Sequence, residues 1–314
     1  AERDKMPILG KTAKEFFSRN DGVVHFGTIT TVAESPRQAG VLWVGTDDGN
    51  VQVSRDGGAS WTNVAAKIPG VPKGTYVSRI EASRSGDGAA YVAFDGHRSN
   101  DFAVYLFRTE DFGQSWKSLA ANLPAGGTVS VIREHPKNPD LLLLGTEYGL
   151  WASWNRGGQW HRIKSKLPTV PVDDVLVHPR DNDLILGTHG RGVWILDDMG
   201  PWDQLSETVA TADVHLFDIR PATQYRIHNH KGNTGHKAFL APNPPEGARI
   251  SYLLKAKPGE KEEVKVVVKD SEDKVVRELK PNEAGEYRAT GLFQGTYEAV
   301  PSAQGDLSPI PASL

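Results

Sequence analysis

Three carboxylates in glycine-bearing segments are the residues best equipped for chemistry: Asp47, Asp95 and Glu147. They stand in Thr46-Asp47-Asp48-Gly49, Phe94-Asp95-Gly96-His97-Arg98 and Thr146-Glu147-Tyr148-Gly149. Two carboxyl groups held about 5–10 Å apart suit an acid paired with a base or a nucleophile, the arrangement that cleaves glycosidic bonds. Around them lie candidate ligand-binding residues Asp48, His97, Arg98 and Tyr148, with His189 and Arg191 in a fourth segment, Thr188-His189-Gly190-Arg191-Gly192. The competing reading is that Asp-Gly and Glu-Tyr-Gly are tips of β-turns, where Asp is favoured because it bonds to its own backbone. The turn reading is preferred, so no catalytic residue is assigned; were the chain an enzyme, Asp47, Asp95 and Glu147 would be its candidates. His228, His230 and His236 lie close together and are of the type that binds metals. In a loop-rich connector they read as surface histidines, so neither a metal nor a cofactor is expected.

The elements that must position these residues recur along the chain, and repeats are sought before local structure. Three octets align: Ser54-Arg55-Asp56-Gly57-Gly58-Ala59-Ser60-Trp61, Thr109-Glu110-Asp111-Phe112-Gly113-Gln114-Ser115-Trp116 and Ser153-Trp154-Asn155-Arg156-Gly157-Gly158-Gln159-Trp160. The Asp or Asn side chain is placed to accept bonds from backbone amides further along the turn. The Gly takes a positive φ, and the Trp is expected to pack back across its own hairpin with its indole N–H near the surface. Before each octet, or at the matching place, comes an apolar run ending in Gly-Thr: Val41–Thr46, Leu141–Thr146 and Leu184–Thr188. Upstream stand Ser35-Pro36, His135-Pro136 and His178-Pro179; downstream stand Ile68-Pro69, Leu123-Pro124 and Leu167-Pro168. Landmarks in one order over roughly 40–55 residues describe a blade of four antiparallel strands.

The blades are read as 22–66, 74–121, 126–166 and 169–206. The second lacks Gly-Thr and carries a longer loop through Asp101; the fourth keeps Gly187-Thr188 but has no octet. Residues 1–21 form an N-terminal extension and 207–245 a linker. Residues 246–302 show strand-like alternation at 249–254, 264–268, 275–279 and 295–300, predicting a small β-sandwich. A Pro-containing tail spans 303–314. The expected class is all-β: propeller blades plus a sandwich.

Composition sets the limits. At 314 residues the chain exceeds a usual single core, and 32 Gly with 20 Pro mark a turn-rich protein. A net charge of −3 argues against a nucleic-acid surface. With no cysteine, disulfides and thiolate metal sites are excluded. No apolar run is long enough to form a transmembrane helix.

The blades resemble the sortilin-like, BNR-repeat (Asp-box) glycosyl hydrolase-like proteins, on the strength of Trp43–Trp61 and Gly187–Asp198. The segment opening Pro244-Pro245-Glu246-Gly247 resembles the Ig-like sandwich of hook-capping proteins. The resemblance implies that Ser54, Asp56, Gly58, Trp61, Thr109, Asp111, Gly113, Trp116, Ser153, Asn155, Gly157 and Trp160 are structural. It also implies that any substrate end is the one without Asp-boxes, where Asp47, Asp95, Glu147 and their neighbours lie. Catalytic and purely binding propellers share the motif. The arginine triad and Tyr–Glu pair of retaining sialidases cannot be placed here. Such propellers usually carry more blades than four, which suggests a shortened relative, a fragment, or part of a ring completed by another polypeptide. The expected function is a non-catalytic interaction module, periplasmic or extracellular, docking on a larger protein assembly. The alternative is a carbohydrate-active enzyme or lectin using the polar loops.

Overall fold

A computed structural model describes residues 27–164, 166–222, 236, 248–256, 264–270, 272, 274–279 and 297–303. The expected N-terminal extension, residues 304–314 of the expected tail, His228 and His230 lie outside them. The chain divides into two compact units, 1–196 and 197–314.

In the first unit, alternating apolar residues build sheets in strict chain order. The first sheet contains β1 (Ile29–Glu34), β2 (Leu42–Thr46), β3 (Val51–Ser54) and β4 (Thr62–Asn63). The second contains β5 (Tyr76–Ala82), β6 (Ala90–Asp95), β7 (Tyr105–Thr109) and β8 (Lys117–Ser118). The third contains β9 (Val129–Glu134), β10 (Leu142–Thr146), β11 (Gly149–Ser153) and β12 (His161–Arg162). All neighbours pair antiparallel. These are propeller blades. The fourth repeat corrects the expectation of four strands: β13 (Val172–Val177), β14 (Leu184–Thr188) and β15 (Gly192–Leu196) form a three-stranded sheet. Having no octet, it has no turn of that kind to return the chain after β15.

The blades stack through apolar layers, as the first three show. Trp43, Val51 and Val53 of the first face Ile80, Val92 and Phe107 of the second. Tyr91, Ala93 and Leu106 of the second face Ile132, Leu142 and Leu144 of the third. Strands covered on both sides are apolar throughout, as in β10, where every residue is buried.

The Gly-Thr pair has two separate purposes. A Cβ on Gly45 would stand 2.5 Å from Val77 Cγ1, and one on Gly145 would stand 2.4 Å from Val172 O. Glycine therefore admits the first strand of the following blade at a distance no side chain allows. The threonine ties the β2–β3 type of turn: Thr146 Oγ1 donates to Gly149 O (3.1 Å) and Thr188 Oγ1 to Gly192 O (2.7 Å). At the other end, Ser35 Oγ accepts from Arg37 N and Gln38 N, and His135 Nδ1 accepts from Lys137 N and Asn138 N. Each thereby satisfies turn amides that Pro leaves exposed.

The second unit opens with α1 (Gly200–Asp203) and α2 (Glu207–Thr211), the latter capped by Ser206 Oγ accepting from Val209 N. Strands β16 (Val214–Leu216) and β17 (Tyr252–Leu254) pair with each other. Thus the region expected as a linker contains a helix and a strand. Strands β18 (Val264–Asp270), β19 (Val275–Leu279) and β20 (Tyr297–Ala303) form a second sheet in the order β19-β18-β20. Leu216, Tyr252, Val266 and Leu279 share a small core.

The close approach at Gly145 generates a direct prediction. Gly145→Ala is expected to lower the unfolding free energy by about 1–3 kcal/mol, the usual cost of overpacking, as read from the midpoint of urea denaturation. An unchanged midpoint would mean that the two strands are not held at the distance described.

Candidate functional site

Strand direction alternates within a blade, so the β2–β3, β6–β7, β10–β11 and β14–β15 loops lie at one end and the octet turns at the other. The nine loop candidates are thus placed at one end of the blades, and the hydrogen bonds and ion pairs described next for their own side chains remain within single blades. Asp47 Oδ1 accepts from Gly27 N (2.7 Å) and Thr28 N (2.8 Å), anchoring the entry into β1. Asp48 accepts from Thr46 Oγ1 and from Asn50 Nδ2 (2.8 Å). Asp95 accepts from His97 N (3.0 Å) and meets His97 Nδ1 at 2.6 Å. The Arg98 guanidinium stacks 4.7 Å from the Tyr76 ring centre. His189 Nδ1 lies 3.4 Å from Asp173 Oδ2, and the Arg191 carbonyl accepts from Trp194 Nε1. The Glu147 amide donates to Thr128 O. Tyr148 is exposed and borders a recess of about 210 Å3 with Arg162, Lys164, Leu167 and Thr169. Arg162 donates there to Tyr148 O and Thr169 Oγ1.

At the opposite end the octets share one pattern of bonds. Ser54 Oγ donates to Asp56 Oδ1 (2.8 Å) and accepts from Gly58 N (2.8 Å), while Asp56 accepts from Ser60 N and Ser60 Oγ. Thr109, Asp111, Gly113 and Ser115 repeat it. So do Ser153, Asn155 and Gly157, with Gln159 N donating to Asn155 Oδ1. Bonds from Ser60 hold the Asp56 carboxyl down at about 2, against an ordinary 3.8. Burial pushes Asp111 up, but the bonds from Ser115 and Thr109 outweigh it and leave it at about 2.

The tryptophans diverge. Trp61 and Trp116 donate to Gly58 O (3.0 Å) and Gly113 O (3.1 Å) within their own turns. Trp160 does not pack back across its hairpin as expected: its indole donates to Leu119 O of the preceding blade (2.8 Å), and its backbone pairs with the Asn122 amide. It is 1% exposed, against 40% for Trp61. Asn122, which lies outside every octet, captures it.

One constellation escaped sequence reasoning. On the first strands, Arg133 bonds Glu81 (2.6 Å), Asp174 (3.2 Å) and Val175 O (2.8 Å), and Arg79 bonds Asp174 (2.9 Å). Arg79, Glu81 and Arg133 border a cleft of about 220 Å3 with Glu34 and Arg84. Burial pushes the Glu81 carboxyl up, opposed by Arg133. Burial likewise lowers Arg79, whose Nε is buried without an acceptor among the described residues. Opposite charges here neutralise each other across three blades. The signal was available as charged residues at the same register of successive first strands. Among the described residues, no cluster of His, Cys, Asp and Glu could hold a metal ion.

No family model matches the chain, and no curated protein matches it. Among solved structures it is similar to a GH74 xyloglucanase from Xanthomonas campestris, at 20% identity and a TM-score of 0.43, over 53% of this chain and 28% of that one. It is similar to YCF48 bound to D1 peptide at 15% identity and 0.41, over 55% and 51%. It is also similar to the extracellular domain of a hybrid two-component system from B. thetaiotaomicron at 16% and 0.41, over 54% and 21%. The chain therefore spans about half or less of each.

Two predictions follow from the octet turns. Because Asp56 and Asp111 titrate lower folded than the ordinary carboxyl value, their stabilisation is full above about pH 4 and is lost as pH falls towards 2. Thermal melts of Asp56→Asn should show less acid sensitivity than the parent over that window, and equal sensitivity would contradict it. Trp160→Ala should cost about 3–5 kcal/mol, and Trp61→Ala clearly less, by chemical denaturation.

Proposed function

We propose that the chain is a non-catalytic protein-interaction module, an exported subunit, periplasmic or extracellular, that docks on a larger assembly. One observation carries the reading: two of the three loop carboxylates with chemical promise, Asp47 and Asp95, are used by their own turns. Asp47 holds the amides of Gly27 and Thr28, and Asp95 holds His97. A carboxylate held in place by backbone N–H groups of its own turn is not free to approach a substrate. The octet residues, read as Asp-boxes, act structurally for the same reason, since their side chains bond to one another and to turn amides. The small β-unit after residue 197, read as Ig-like, suits docking rather than turnover. The exported placement rests on the family resemblance alone.

A carbohydrate-binding role has one observation in its favour, the recess beside exposed Tyr148 and Arg162, where an aromatic ring and a guanidinium could meet a sugar. The two readings separate experimentally. Affinity purification of the chain from its native extract should recover a stoichiometric protein complex, with no release of sugar from polysaccharides. Turnover that disappears in Glu147→Gln or Asp95→Asn would overturn the proposal in favour of a glycoside hydrolase.

A further inference from the structure

Among the described residues, the stacking of blades leaves two faces of the first unit exposed, and they are the two halves of one repeated interface. Registers on the second strands make Ile29, Val77, Val129 and Val172 equivalent, since they pair with Thr46, Phe94, Thr146 and Thr188. Val77 and Val172 press on Gly45 and Gly145 of the preceding blade. Val77, Val129 and Val172 are fully buried, whereas Ile29 is 58% exposed. Val32 is 63% exposed, while its equivalents Ile80, Ile132 and Val175 are buried. Trp61, in the same blade, lacks the preceding blade against which Trp160 is buried.

The fourth blade shows the converse. Gly187 occupies the place of Gly45 and Gly145, yet a Cβ there would meet nothing nearer than 3.7 Å, and that atom is in its own blade. Around it Val193 is 68% exposed and Ile195 59%, whereas Leu150 and Ala152 at the matching positions of the third blade are buried; Leu176, 50% exposed, stands where the third blade carries half-buried Arg133. The run Leu184-Ile185-Leu186 is apolar on both faces, the pattern of a strand covered on both sides. Here is a glycine and an apolar row built for an incoming first strand, and at the other end a first strand with no glycine to rest on.

We propose that a second copy of this chain covers both faces, head to tail. Ile29 and Val32 of one copy seat on Gly187, Leu176 and Ile195 of the other, and the reverse contact completes the pair. Continuity with the two glycine-seated interfaces already inside the chain fixes the geometry: the same positions meet, in the same register, as Val77 on Gly45 and Val172 on Gly145. Heterologous contacts of this kind close when the rotation between copies allows both to form. The inference rests on the reading of the chain as an interaction module and names one partner, itself.

Light scattering and sedimentation of the 314-residue chain are expected to show a dimer that dissociates on dilution. Gly187→Val fills open space in the single chain, so its melting in dilute, monomeric solution should match the parent while dimerisation weakens by about tenfold or more. Ile29→Asp should do the same from the opposite face. Mixed together, the two variants retain one good face each of complementary kind, so heterodimers should form where neither variant pairs with itself. A parent that stays monomeric as concentration rises overturns self-docking, and leaves docking on a different protein untouched. A dimer indifferent to both substitutions overturns it too. Failure to recover any other protein from native extract, with the dimer intact, contradicts the larger-assembly reading alone.

Discussion

The structure depends on one close approach: the first strand of a blade lies against a glycine in the second strand of the blade before it. Gly45 under Val77 and Gly145 under Val172 leave no room for a Cβ. At the first of these contacts that distance brings the two sheets near enough for Trp43 to be buried between them. Packing of this density is sensitive to single methyl groups. In the second blade Ala93 occupies the glycine's place and is still fully buried, so this interface tolerates one methyl where the other two do not. Hydrogen bonds then pin the register: Thr30 Oγ1 donates to Val77 O, and Ser78 Oγ to Val129 O.

The octet turns supply a second contact at the outer strands. A Cβ on Gly113 would meet Val64 at 2.9 Å, and one on Gly157 would meet Leu119 at 3.1 Å. Both neighbours belong to the preceding blade. The positive φ of these glycines, +81° and +83°, and their lack of a side chain are therefore both in use. Between blades two and three a buried polar group adds specificity: Glu134 accepts from Ser83 Oγ, from the Tyr91 phenolic OH and from the Arg84 amide. Fully satisfied networks of this kind fix one packing arrangement over others.

Much of the fold was legible because its signals are local. An octet with Asp or Asn, Gly and Trp at fixed offsets specifies a turn whose bonds close within five residues, and Gly-Thr marks the end of a second strand. What was not legible is relational. Trp160 leaves its own turn because Asn122, in a different blade, takes its backbone, and no spacing within the octet encodes that. The Arg79–Glu81–Arg133–Asp174 network joins three blades; it becomes visible in sequence only after the first strands are put in register. Strand β16 was hidden in an expected connector because three residues, Val214–Leu216, are too few for a periodic signal. The loop candidates lie at the end of each blade away from the octet turns, but their side-chain partners, Gly27 for Asp47 above all, depend on the fold.

If contact between blades holds the fold together, stability should be graded along the stack. Native-state hydrogen exchange over residues 27–196, at a concentration where the chain is monomeric, measures this most directly. The account predicts that β5–β7 and β9–β11, covered on both sides, exchange slowest and open together, while β1–β3 and β14–β15 exchange faster from their uncovered sides. Four blades opening independently with equal protection would contradict it, since each sheet would then be stable without its neighbours.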